Sequence, residues 1–219
     1  MRLKFEKNLF FLLLASVFLS GCASGVNITP DPEVKTTSVS GEPAVIFFDD
    51  GRRGFIITEV SKLDGNARRD YEQAVTLLNN NDFEQAIKIL ENIVALSPSV
   101  TAPYINLAIA SRKAGQMEQT QEYLKIALGL VPGHPVASNE YGLLLREMGR
   151  FTEARNIYEQ SITKFPDYLP LHRNLGILCD LYLNDLECAL TQYERYSEGS
   201  PKNEVAKLWI SELHLRLGQ

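Results

Sequence analysis

Three cysteines, three histidines and one adjacent pair of acids are the residues of this 219-residue chain best suited to covalent, metal or acid–base chemistry. His134, His172 and His214 stand far apart, and none sits in a cysteine or carboxylate motif. Scattered in this way, the cysteines and histidines cannot supply a four-ligand zinc cage at the usual spacings. Asp49 and Asp50 lie in the run Asp49-Asp50-Gly51-Arg52-Arg53-Gly54, where aspartates stabilise a turn by bonding their own backbone. No GxxxxGK(S/T), GxGxxG, GxSxG or HExxH string occurs, so phosphate-cradling loops and the nucleophile elbow are absent. No catalytic group, metal or cofactor is expected. The net charge of −5 lacks the basic footprint a phosphate backbone requires, so nucleic acid is not an expected partner. With 45% apolar and 22% charged residues the chain has the balance of a globular protein, which leaves a binding or scaffolding role.

Cys22 has a specific setting. Arg2, Lys4 and Lys7 precede an apolar run from Leu9 to Leu19, which is too short for the roughly 20 residues a membrane span needs. This is the n-region and h-region pattern of a signal peptide. The run closes on Leu19-Ser20-Gly21-Cys22, which resembles the lipobox of bacterial lipoproteins. The resemblance implies that residues 1–21 are removed and that Cys22 becomes the acylated first residue. It carries over one site residue, Cys22, and two or three acyl chains there would give stable anchoring. Cleavage removes three basic residues and one acid, taking the net charge from −5 to −7. Ala23 stands where inner-membrane lipoproteins carry Asp, so the resemblance implies the periplasmic face of the outer membrane.

The elements that must position any binding residue follow. Residues 22–43 are rich in Ser, Thr, Gly and Pro and read as a flexible tether. Ala44-Val-Ile-Phe-Phe48 and Phe55-Ile-Ile-Thr-Glu-Val60 flank the turn and read as a β-hairpin-like segment over 44–60. A lone hairpin is marginal in water. It either packs on the following helices or serves as a docking strand.

From residue 67 the chain repeats. Pro98, Pro132 and Pro166 recur every 34 residues and Pro201 follows at 35. Ala74, Ala108, Gly142 and Gly176 keep the same interval, as do Ala86, Thr120 and Ala154, with Ala189 at 35. Phe83, Met117, Phe151 and Leu186 precede the latter series by three, and Leu90, Leu124, Tyr158 and Tyr193 follow it by four. Each unit therefore holds two apolar-periodic stretches, hence two helices, closed by proline. This pattern resembles the tetratricopeptide repeat. The resemblance implies an all-α helical solenoid of about four helix-turn-helix repeats over 67–202, with residues 203–219 as a capping helix. The fourth unit carries one extra residue around Leu181–Asp185.

The resemblance also implies a site. Tetratricopeptide stacks bind protein segments in a concave groove lined by the first helices. The corresponding fifth positions are Tyr71, Ile105, Asn139 and Arg173. The ninth are Val75, Ile109, Leu143 and Ile177, and the twelfth include Arg112 and Arg146. An apolar stripe beside three arginines suits a helix or extended peptide bearing a few acids, although the stripe also reads as interhelical core and the arginines as a solvated face. The carboxylate clamp for chaperone C-termini is not expected, since Tyr71 and Val75 stand where it needs Lys and Asn.

Cys179 and Cys188 fall on either side of the turn in the fourth unit. A disulfide, permitted in an envelope compartment, and a small buried thiol both fit. The expected function is a lipid-anchored scaffold for protein partners of an envelope assembly: a pilus, secretion, outer-membrane biogenesis or TonB-type system. The alternatives are a self-associating lipoprotein and a cell-wall-associated ligand-binding protein.

Overall fold

The computed structural model describes residues 44–47, 55–58 and 62–218. Strands β1 (Ala44–Phe47) and β2 (Phe55–Thr58) pair antiparallel, with Ala44 opposite Thr58 and Phe47 opposite Phe55. This is the hairpin expected over 44–60; what its aromatic side chains pack against lies outside the described residues.

The helices come in pairs. The first pair is α1 (Gly65–Asn79) and α2 (Phe83–Leu96), and the second is α3 (Thr101–Lys113) and α4 (Met117–Leu130). The third pair is α5 (Pro135–Glu147) and α6 (Phe151–Lys164). The fourth is α7 (Leu169–Leu178) and α8 (Leu186–Gly199), after which α9 (Glu204–Leu217) ends the described stack. Polar caps set several helix starts. Asp64 Oδ1 accepts the Asn66 and Ala67 N–H groups at 3.0 and 2.8 Å. Asn203 Oδ1 accepts the Ala206 N–H at 3.1 Å, satisfying one of the free donors of α9.

Within every pair the turn needs one residue at positive φ. Asn81 (62°), Gly115 (78°), Gly149 (73°) and Asn184 (52°) supply it, the two residue types for which the left-handed region is least costly. The extra residue of the fourth unit is absorbed just before that turn. There α7 runs on as a π-helix over Cys179–Leu183, and Asp185 N–H reaches back to the Cys179 carbonyl at 2.9 Å.

Helix approach is set by a size match. In the third and fourth pairs the Tyr158 ring lies over Gly142 and the Tyr193 ring over Gly176, where an added Cβ would fall 2.6 Å from Tyr193. In the first and second pairs the same places hold Ala74 with Leu90 and Ala108 with Leu124, all fully buried. A smaller residue on the first helix thus goes with a larger one on the second, preserving close packing.

The first helices also touch one another, α1 on α3, α3 on α5 and α5 on α7, whereas the second helices are splayed apart. The first helices therefore line the inner side of the stack. The core falls into two clusters, one from Ala74 through Leu124 to Leu144 and one from Leu145 through Tyr158 and Leu178 to Leu213, with the partly buried Tyr141 packed against both.

Gly142→Ala should lower stability by roughly 1–2 kcal/mol in urea unfolding, because overpacking outweighs the better helix propensity of alanine. Adding Tyr158→Leu, which recreates the Ala–Leu match of the first two pairs, should recover most of that loss. A second expectation concerns His134, which caps α5 by accepting the Ala137 N–H at 3.4 Å. Burial lowers its pKa to about 4 from the ordinary 6.5, so the folded state favours the neutral ring. The stability it contributes is present above pH 6.5 and is lost as pH falls toward 4. His134→Asn keeps a cap acceptor without the titrating ring. It should flatten the stability–pH curve between pH 6.5 and 4 by roughly 2–3 kcal/mol relative to wild type.

Candidate functional site

The inner side is built from the ninth positions outward. Val75, Ile109, Leu143 and Ile177 are each half-buried, one per first helix, and form an apolar stripe along it. Near its N-terminal end a cavity of about 260 Å³ opens between Val75, Leu78, Phe83, Asn106 and Ile109, with Lys113 at its margin. Carrying the register 35 residues from α7 to α9 puts Val205, Leu208 and Leu215 at the second, fifth and twelfth positions. All three are exposed, by 52%, 68% and 79%. The positions of α9 that would meet a further second helix are instead polar: Lys207, Ser211 and His214. That side of α9 is polar, and its exposed apolar surface belongs to the groove side.

The fifth positions divide. Tyr71 is half-buried, and its hydroxyl accepts a bond from Asn106 Nδ2 at 2.9 Å. Ile105 is buried in the core. Asn139 is buried between α5 and α7, where its Oδ1 accepts from Asn174 Nδ2 at 2.8 Å. Arg173 is exposed. Ile105 and Asn139 thus hold repeats together, while Arg173 faces solvent.

The arginines also divide. Arg112 donates through Nη2 to Glu140 and through Nη1 to Glu147, both at 3.0 Å. Glu140 also accepts from Asn139 Nδ2 at 3.3 Å, so a polar network joins α3, α5 and α7. The Arg112 charge is answered inside the chain. Arg146 meets no such acid among the described residues; its guanidinium lies 5.7 Å from the Tyr182 ring centroid, and its Nη1 is buried without a hydrogen-bond partner. Glu140 and Tyr182 are site residues that the periodicity did not single out, and it marked Tyr158 as a packing landmark and not as a site residue. The exchange of Ala–Leu for Gly–Tyr between repeats was the available signal for Tyr158.

Cys179 and Cys188 are joined by a disulfide, with an S–S distance of 2.05 Å and Cα atoms 5.9 Å apart. It ties the π-helical end of α7 to the first turn of α8. Asp185 lies beside them, and the three form the one cluster of metal-ligating types among the described residues. Here the sulfurs are bonded to each other, and the Asp185 carboxylate accepts from the Cys188 N–H at 3.1 Å and from Arg155 at 2.9 Å. Those bonds hold its pKa below the ordinary carboxylate range. The group is a structural staple. The histidines are structural too: His172 is buried between the Pro166 carbonyl and Gln192 Oε1, 2.8 Å from each. Cys22, Asp49 and Asp50 lie outside the described residues, as do the signal peptide and tether.

Paired helices, positive-φ turns and small–large matching define a tetratricopeptide-repeat solenoid, a fold of the protein-interaction scaffold type. The tetratricopeptide-repeat family model matches residues 140–168, within the third unit. Among solved structures the chain is similar to PilF of Pseudomonas aeruginosa, at 20% identity and a TM-score of 0.64, covering 70% of this chain and 69% of that one. It is also similar to MamA of Desulfovibrio magneticus, at 17% and 0.60, covering 72% and 88%. A thermophilic tetratricopeptide protein of Thermus thermophilus matches at 23% and 0.59, covering 69% and 82%. At these identities the likeness is one of fold. No curated protein matches the chain.

The two arginines should behave differently when removed. Arg112→Met strands Glu140, whose side chain is 13% exposed, and should cost about 2 kcal/mol in denaturant unfolding. Arg146→Met removes no ion pair and should change stability by less than about 1 kcal/mol.

Proposed function

We propose that the protein is a lipid-anchored adaptor of the bacterial cell envelope, held by acyl chains on Cys22 at the periplasmic face of the outer membrane. Its groove captures an extended or helical segment of a protein partner belonging to a pilus, secretion, outer-membrane biogenesis or TonB-type assembly. The mechanism is binding alone: the anchor fixes location, and the groove fixes the partner. The observation that carries this reading is the apolar stripe Val75–Ile109–Leu143–Ile177; on α9 the ninth position is the exposed Glu212, and Val205, Leu208 and Leu215 add exposed apolar surface around it. A surface of that kind binds by covering apolar area, at about 25 cal/mol per Å² before the costs of association are subtracted. The polar side of α9 weighs against end-to-end stacking of copies. Among the described residues no helix is long and apolar enough to cross a membrane, which makes the Cys22 motif the feature that supports attachment.

Photo-cross-linkers placed at Leu143, Ile177 and Leu208 should trap a defined partner in vivo, whereas one at Leu96, exposed on the second-helix side, should not. Equal trapping from Leu96, or an adduct of twice the chain mass, would defeat the groove reading. Cys22→Ser should abolish acyl labelling and move the protein to the soluble fraction.

A further inference from the structure

The twelfth position of the first helix is charged in three successive repeats, and two of those charges are answered within the chain. Arg112 meets Glu140 and Glu147. Asp180 meets Arg216 at 2.6 Å. Between them stands Arg146, which makes no ion pair among the described residues. Arg112 finds Glu147 thirty-five residues on; the same step from Arg146 reaches Leu181.

A second group lies beneath it. Tyr158 is fully buried, at 0% exposure, yet its hydroxyl also lacks a hydrogen-bond partner. The hydroxyl passes Gly142, where an added Cβ would fall 2.8 Å from it. Gly142 is one turn before Arg146 on the same face of α5. The Arg146 charge is the strongest of those acting on this hydroxyl. The residue inserted in the fourth unit supplies a wall: the π-helix sets Tyr182 against the Arg146 guanidinium and against Phe151, 4.9 Å between ring centroids. A guanidinium lying on a ring face keeps its edge N–H groups available for a planar acceptor. Two buried donors left without an acceptor are costly, and a carboxylate satisfies both.

In the fourth repeat Tyr193 occupies the place of Tyr158 and Asp180 the place of Arg146, and there the chain answers the charge itself, with Arg216. We infer that Arg146, Tyr158 and Tyr182 form the acid-recognition subsite of the groove, which takes one Asp or Glu side chain from the bound protein segment. This rests on the groove reading above and narrows its ligand to an apolar segment with an acid at a fixed place. Arg173, exposed on α7, adds positive charge along the same side.

Random twelve-residue peptides displayed on phage, selected against the full chain in detergent, provide the probe. Recovered peptides should carry an Asp or Glu among apolar residues. Replacing that acid by its amide should weaken binding about tenfold on wild type, but by less than about twofold on Arg146→Met. Tyr158→Phe removes one hydroxyl and no packing; it should reduce the acid preference with a melting temperature equal to or above that of wild type, since the hydroxyl it removes has no acceptor in the free protein. An acid preference that survives intact in both variants, or an amide replacement without effect on wild type, overturns the subsite and leaves the groove reading standing. Failure to recover peptides, or recovery of peptides that bind Leu143→Ser as tightly as wild type, overturns both.

Discussion

The distance between the two helices of each repeat is the constraint on which the rest of the structure depends. Volume is exchanged across that contact, Ala with Leu in the first two repeats and Gly with Tyr in the next two. Interiors packed at crystal-like density tolerate neither overlap nor a gap of half an ångström, so the two sides must change together. The choice of pair has a chemical consequence. Leucine ends inside the core, whereas tyrosine passes the missing Cβ of Gly142 or Gly176 and brings a hydroxyl toward the charged edge of the groove. Packing in the third and fourth repeats therefore decides which polar atoms lie under the binding surface.

The single extra residue of the fourth repeat works through the same geometry. A helix that gains a residue must rotate everything beyond it or absorb the addition locally. Here a π-helical turn absorbs it, and Asn184 restores the left-handed turn that Asn81, Gly115 and Gly149 make elsewhere. The following helix keeps its register, so Tyr193 still meets Gly176 and the stack continues to α9. What changes is confined to Cys179–Leu183, where Tyr182 is turned onto Arg146 and Cys179 is brought to Cys188.

Charge on the groove side follows from pairings across repeats. Sequence neighbours one repeat apart become spatial neighbours on adjacent first helices, so Arg112 reaches Glu147 and Arg216 reaches Asp180. A charge paired in this way is largely neutral to a ligand. Formal count is therefore a poor guide to the groove's character: of four arginines on this side, Arg112 and Arg216 are consumed, Arg146 is stacked on a ring, and Arg173 is open to solvent.

The sequence by itself determined the repeat, its boundaries near prolines and turns, the pairing of helices and the further helix after the fourth repeat. These are local matters of periodicity, capping and φ preference, each written within one or two turns of chain. It also contained the groove stripe, because one residue per repeat at a fixed position must line one side of a regular stack. Only the tertiary structure decided which of those residues are available. Ile105 and Asn139 share the fifth position with Arg173, yet the first two are closed between helices while the third is exposed. Arg112 and Arg146 share the twelfth, yet their partners come from the next repeat: the steps that bring Arg112 to Glu140 and Glu147 bring Arg146 to Asn174 and Leu181, neither of them an acid. The reason is physical: availability depends on what a neighbouring repeat places within about 3 Å, the reach of a hydrogen bond. That distance is fixed by packing between segments some 35 residues apart.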